Sequence, residues 1–194
     1  MMRAMQEKLL FLYKFMRTPK QIGSVTPSST FLARKMLEPV PWSKVASVVE
    51  LGAGTGAITR HMDAVRRRDT TVLLFEQDPH LLSRLKEAFP DYACHEDACG
   101  LRNALKETGI DRLDCVLSGL PFFNFPHQLR EQIMQEVTAA LRPGGLFIAF
   151  QYSQQMRKRL SRDFEIEHIH FVPLNVPPAF VYVCRKKEAS SHEL

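Results

Sequence analysis

Three carboxylates and a glycine-rich turn are the groups in this sequence best spaced for chemistry. Glu50 stands two positions ahead of Gly52 in the stretch VVELGAGTG, Glu76 closes the run TVLLFE, and Asp97 follows the run YACHE. Gly52, Gly54 and Gly56 permit positive φ and a close approach of backbone to a ligand. A GxGxG turn alone is also used by dinucleotide enzymes. The acidic residues narrow the choice. At Glu50 a carboxylate repels a pyrophosphate but accommodates a cationic group. Glu76, twenty residues after Gly56, is placed to accept hydrogen bonds from ribose hydroxyls, and Asp97 to bond an adenine amino group. Adenine, ribose and a positive charge without phosphate describe S-adenosylmethionine. Ala53, Gln77 and Ala98, the chain neighbours of these groups, complete the expected cofactor contacts.

These groups need a sheet to hold them. Strand-like runs at 46–51, 71–76, 92–96, 114–119 and 145–151 alternate with helical runs near 56–66, 80–88, 101–107 and 127–141. LRPGGLF reads as a helix stop, a turn and the next strand. After a basic helix around 154–162, FEIEHIHFV and AFVYVCR read as two strands. Their short link, PLNVPP, predicts an antiparallel hairpin. Repeated βα units predict an α/β fold, a mostly parallel sheet with helices on both faces. Ligands then bind beyond the carboxyl ends of the strands, where strand order reverses.

The chain of 194 residues, 45% hydrophobic and 24% charged, has the balance of one soluble globular domain. The expected division is an N-terminal helix and covering segment over 1–45, a catalytic domain over 46–187 and a frayed tail over 188–194. Cys94, Cys99, Cys115 and Cys184 show no CxxC pairing and no histidines at zinc spacing, so neither a disulfide framework nor a metal site is expected.

The glycine turn and its acidic partners resemble the class I S-adenosylmethionine-dependent methyltransferases over residues ~46–186. That resemblance implies a Rossmann-like seven-stranded sheet with a reversed last strand. GSVTPSSTFLARKM (23–36), VVELGAGTGAITR (48–60), VLSGLPFFNF (116–125) and NVPPAFVY (175–182) together are similar to the bacterial phospholipid N-methyltransferases. The implied acceptor is the headgroup amine of an aminolipid such as phosphatidylethanolamine. Its nitrogen must be neutral to attack, against an ordinary pKa near ~10 for such amines. A dry pocket lowers that pKa, and backbone carbonyls across Ser118, Gly119, Leu120 and Pro121 are placed to receive the N–H groups. Ser118 is also counted among the cofactor contacts. Phe122, Phe123 and Phe125 offer either aromatic faces for a methylated ammonium or core packing. Tyr182 faces the pocket or packs in the sheet. Thr26, Ser28 or Ser29 caps the helix that follows. The resemblance gives Thr26 and Ser28 a second role over the methionine end of the cofactor. No general base stands out; His61 and His95 read as surface or satisfied histidines.

Of the net charge of +5, four units lie in the first twenty residues, where Arg3, Lys8, Lys14, Arg17 and Lys20 face Glu7 alone. Residues 3–17 fit a helix with Met5, Leu9, Leu12 and Met16 on one stripe. Such a helix suits the interface of an anionic bilayer, or docks on the domain as a core helix. With no cleavable leader and no run of ~20 apolar residues, the expectation is a cytoplasmic protein held peripherally on the inner membrane face. Two alternatives stay open: an rRNA adenine N6-methyltransferase-like enzyme, and a methyltransferase for a small soluble amine. Against the first, Ser118 stands where those enzymes carry an Asn or Asp, and the chain ends without their additional helical domain. Arg66–Arg68 and Arg157–Arg159 keep nucleic acid in view.

Overall fold

The computed structural model of the chain describes residues 29–188. Helix α1, Thr30–Leu37, is capped by the Ser29 hydroxyl, which accepts from the Leu32 N–H at 3.2 Å. Of the three capping candidates, Ser29 takes that role. Thr26, Ser28 and the segment 3–17 lie outside the described residues. From α1 the chain alternates: β1 (Ser47–Leu51), α2 (Ala57–Val65), β2 (Thr71–Phe75), α3 (Pro79–Ala88), β3 (Ala93–His95), α4 (Leu101–Glu107) and β4 (Leu113–Ser118). It continues through α5 (His127–Ala140), β5 (Leu141–Gln151), α6 (Arg157–Asp163), β6 (Phe164–Val172) and β7 (Ala179–Lys186).

The seven strands form one sheet in the order β3-β2-β1-β4-β5-β7-β6. Only β7 runs against the others, paired antiparallel with both β5 and β6. The expected hairpin between the last two strands is present, but β7 inserts beside β5 and pushes β6 to the edge. Strand order reverses between β1 and β4, which opens a crevice beyond their carboxyl ends.

Apolar residues on both faces of the central strands explain their unbroken hydrophobic runs. On one face Val49, Leu51, Val116 and Phe147 pack against α4, α5 and α6. On the other, Val48, Leu117 and Ile148 pack against α1, α2 and α3. The described part of the expected covering segment therefore joins the core, with Leu32, Ala33 and Met36 of α1 fully buried.

One turn reads differently in three dimensions. Strand β5 begins at Leu141 rather than 145, because its pairing jumps from Leu113–Leu141 to Cys115–Leu146. The residues between are a bulge with Gly144 at φ 71, braced where Arg142 Nε meets the Asp114 carboxylate at 2.6 Å.

Candidate functional site

The turn after β1 is pinned to the end of β2. The N–H groups of Gly52 and Ala53 both donate to the Phe75 carbonyl, at 2.8 and 3.0 Å. Glu76, the next residue, bridges two loops. One carboxylate oxygen accepts from the Gly54 N–H at 2.8 Å and the other from the Asp78 N–H at 2.9 Å. Asp97 lies in the loop just after β3, where its side chain accepts from the Cys99 N–H at 2.8 Å.

Between these loops lies a cavity of about 270 Å³, close to the lower end of the ~300–1,000 Å³ usual for small-molecule sites. Gly52, Gly54, Glu76, Gln77, Asp97 and Ala98 line one side, and Gly119, Leu120 and Pro121 border it after β4. Its apolar wall comes from Phe75, Leu81, Phe125, Leu129 and Ile133. Of these, the sequence singles out only Phe125, as either an acceptor contact or core packing. Leu129 and Ile133 sit four apart on α5, a spacing that puts both on one helix face.

Gly54 shows why the turn needs glycine. Its φ is +58, and a Cβ built there meets no atom of the protein within 4 Å. Gly54 itself lines the cavity, and that space is open. The site thus combines a backbone cradle, a carboxylate at the strand end and an apolar slot, which fits an adenosyl ligand.

Glu50 sits elsewhere than expected. It is 1% exposed and absent from the cavity wall, with one oxygen accepting from the Thr59 hydroxyl of α2 at 2.6 Å. Its other oxygen, Oε1, is buried without a partner. In strand β1 it shares a face with Val48, so its side chain turns toward α2. Burial pushes its carboxyl up to about 8, against the smaller opposing pull of the Thr59 hydrogen bond. The folded protein therefore keeps a proton that the unfolded chain, near its ordinary 4.5, has released. Stability from this group is complete below 4.5 and declines as pH climbs toward 8. In Glu50→Gln that decline should flatten; thermal melts of both proteins across pH 5–8, without ligand, check it, and parallel slopes would refute it.

The packing decides five further residues. Ser118 is fully buried and does not line this cavity; its hydroxyl accepts from the Leu120 N–H at 3.2 Å and braces the SGLP turn. Phe122 is a core residue, edge-on to Phe125 and Phe147 at 6.1 Å each. Tyr182 is buried in the sheet, and its hydroxyl donates to the Ser153 carbonyl at 3.3 Å. Gly56 and Ala53 do not line the cavity either. A Cβ on Gly56 (φ +74) would stand 3.1 Å from Leu85 and 3.2 Å from Phe89, so that glycine serves the packing of α2 on α3.

The histidines play no part in the cavity wall. His61 Nδ1 lies 2.9 Å from the Ala57 carbonyl. His95 stacks on Phe75 with a buried, unpartnered Nε2, so it is neither exposed nor fully satisfied. Among the described residues, no group of three or more His, Cys, Asp or Glu gathers to hold a metal ion.

A second, smaller chamber of about 60 Å³ adjoins the first and shares Gly119 and Pro121 with it. Phe123, Asn124, Phe150, Gln151, Tyr152 and Ser153 complete its walls. The residues from 150 to 153 went unremarked in the sequence. The signal was topological: they leave the carboxyl end of the strand next to β4. The amide of Gln151 donates to the Leu120 carbonyl at 2.8 Å, which the Phe122 N–H also uses, and the Pro121 carbonyl accepts from Asn124. Two of the four carbonyls expected to receive an amine are thus occupied. Gly119, whose oxygen takes none of these turn bonds, borders both chambers.

Comparison with known proteins adds to this geometry. A sequence model of the methyltransferase domain family matches residues 48–145. An ornithine lipid N-methyltransferase of Singulisphaera acidiphila is 36% identical over 187 residues, spanning 93% of this chain and 97% of that protein. A probable ribosomal RNA small subunit methyltransferase A of Halobacterium salinarum is 29% identical over 116 residues, 60% of this chain but 37% of that one. In fold, the chain is similar to the N-methyltransferase NodS from Bradyrhizobium japonicum in complex with S-adenosyl-L-homocysteine. The TM-score is 0.64, with 11% identity over 84% of this chain and 90% of that one.

Proposed function

This chain belongs to the methyltransferase domain family, and on that premise we propose that it methylates the headgroup amine of an aminolipid, such as phosphatidylethanolamine, at the inner face of the cell membrane. It is an S-adenosylmethionine-dependent N-methyltransferase. S-adenosylmethionine, when bound, supplies a methyl group made electrophilic by a sulfonium. Glu76, the Gly52–Gly54 turn and Asp97 are the residues that would hold it.

The observation carrying the acceptor reading is the small chamber that shares Gly119 and Pro121 with the larger one. Its walls supply the aromatic faces of Phe123, Phe150 and Tyr152, and no carboxylate or histidine. Aromatic faces attract methylated ammonium groups by about 0.5–2 kcal/mol each, without the desolvation cost that a buried carboxylate would bring. A dry chamber also favours the neutral amine, whose lone pair must be exposed. The Gly119 carbonyl would orient an N–H of that amine. With no carboxylate or histidine in the wall to take it, the amine's proton passes to water. The role of the walls is alignment and exclusion of solvent.

Similarity along 97% of an ornithine lipid N-methyltransferase supports a lipid amine over a soluble one. The RNA reading loses ground on its charges. Arg66 is held by Asp63 and Tyr92, Arg67 by Asp69, and Arg159 by Glu131 and Asp163. Three of the six cations in the two runs are thus paired where they stand.

The deciding experiment offers labelled S-adenosylmethionine with phosphatidylethanolamine vesicles, ornithine lipid vesicles, free ethanolamine and deproteinised rRNA in parallel. Label in a lipid amine at least tenfold above the other arms is expected. Label in RNA or free ethanolamine alone would reverse the proposal.

A further inference from the structure

Seven large apolar side chains stand well exposed among the described residues, from Tyr152 at 46% to Val176 at 69%. Only Val65, at the end of α2, lies at the amino-terminal edge of the sheet. The other six gather at the carboxyl edge. Phe123 and Tyr152 border the small chamber. Phe171 stands at the end of β6, and Leu174 and Val176 form the β6–β7 tip, which lies beyond Val172 and Ala179. Phe31, in the first turn of α1, joins them because the Ser29 N–H donates to the Asn175 side chain at 3.2 Å. Asn175 also donates to the Pro177 carbonyl at 2.7 Å, so the tip is tied in shape while its apolar side chains point away from the core.

Charge at this rim is one-sided. The segments that build it, 29–37, 150–162 and 168–187, contain no Asp or Glu; Glu38, the next residue after α1, is paired with Lys35 at 2.6 Å. Arg157 and Lys158 are exposed on the first turn of α6, just beyond β5. Separate apolar side chains at a hairpin tip, with a surplus of cations behind them, match an anionic bilayer better than a folded protein partner, which would need a continuous apolar face.

We propose that this rim, made by the β6–β7 tip and the start of α1, is the surface through which the protein docks on an anionic lipid bilayer. Leu174, Val176, Phe171 and Phe31 enter the interface, and the chamber mouth at Phe123 and Tyr152 then faces the headgroups. The choice of bilayer over protein rests on the aminolipid reading above.

The test sediments the full chain with vesicles of phosphatidylethanolamine and phosphatidylglycerol, without S-adenosylmethionine. The native chain should pellet with them. Leu174→Ser combined with Val176→Ser should require at least tenfold more lipid for half-binding, because moving even one aliphatic side chain from water into hydrocarbon is worth about that factor. Val65→Ser should bind as the native chain does, and all three should melt at similar temperatures. Failure of the native chain to pellet, or native-like binding by the double variant, overturns the proposal. So does loss of a dimer in the double variant with vesicle binding intact, which would give the rim to a second copy. Shielding of a probe at Leu174→Cys in the lipid-free monomer would give it to residues 1–28. Methyl transfer to detergent-dispersed phosphatidylethanolamine, measured alongside, separates the two ideas: the acceptor reading fails there, whereas docking fails only on vesicles.

Discussion

Glu76→Ala is expected to weaken binding of S-adenosylhomocysteine by about 10²–10³-fold. The carboxylate does two things at once, so its loss is felt twice. It leaves the Gly54 and Asp78 N–H groups, now 2.8 and 2.9 Å from its oxygens, without their acceptors. It also removes the charged acceptor facing the ribose position. An orphaned buried donor costs about 1–3 kcal/mol, and a hydrogen bond to a charged group contributes about 1.5–3 kcal/mol. Partial rehydration of the loops lowers the sum to about 3–4 kcal/mol. Glu76→Gln should fall between, since its amide accepts at one loop but turns a donor toward the other. Calorimetric titration of the three proteins provides the measurement. Native affinity in Glu76→Ala would show that the cavity is not the cofactor site.

The second large effect comes from filling the cradle. Gly54→Asn should fold, because asparagine tolerates the left-handed region in which Gly54 sits, and nothing in the protein lies within 4 Å of the added Cβ. Its side chain would occupy the cavity, and ligand affinity should drop more than about 100-fold, as expected when a close backbone approach is blocked. Gly56→Ala should do the reverse. There the methyl group meets Leu85 and Phe89 at 3.1 and 3.2 Å, so the cost is stability, about 1–3 kcal/mol, with affinity of the folded fraction nearly unchanged. Thermal melts and titrations on both variants test the contrast. If Gly56→Ala lost affinity and Gly54→Asn did not, the assigned roles of the two glycines would have to be exchanged.

Much of this was readable from the sequence, and the limits have physical causes. The period of strands and helices placed the βα units, and the spacing of Glu76 and Asp97 put both at the ends of their strands, where they line the cavity. Glu50 misled because a strand alternates faces, and nothing local says which face meets the ligand. Ser118 and Phe122 stand beside the correct turn, yet the turn directs their side chains into the core. The small chamber needed longer-range knowledge. Phe150 and Tyr152 matter only once β5 is known to lie beside β4, and Tyr182 is buried only because β7 enters between β5 and β6.

That insertion also imposes an order in time. The β6 segment, Phe164–Val172, emerges before β7 but has no partner in the finished sheet except β7. Until the later strand slides in, its backbone donors and acceptors stay open to any passing extended chain. During synthesis the nascent protein thus carries a temporary sticky border, closed by a strand that engages both neighbours at once. Its window of vulnerability to misassembly is set by the arrival of residues 179–186 rather than by the stability of the finished molecule.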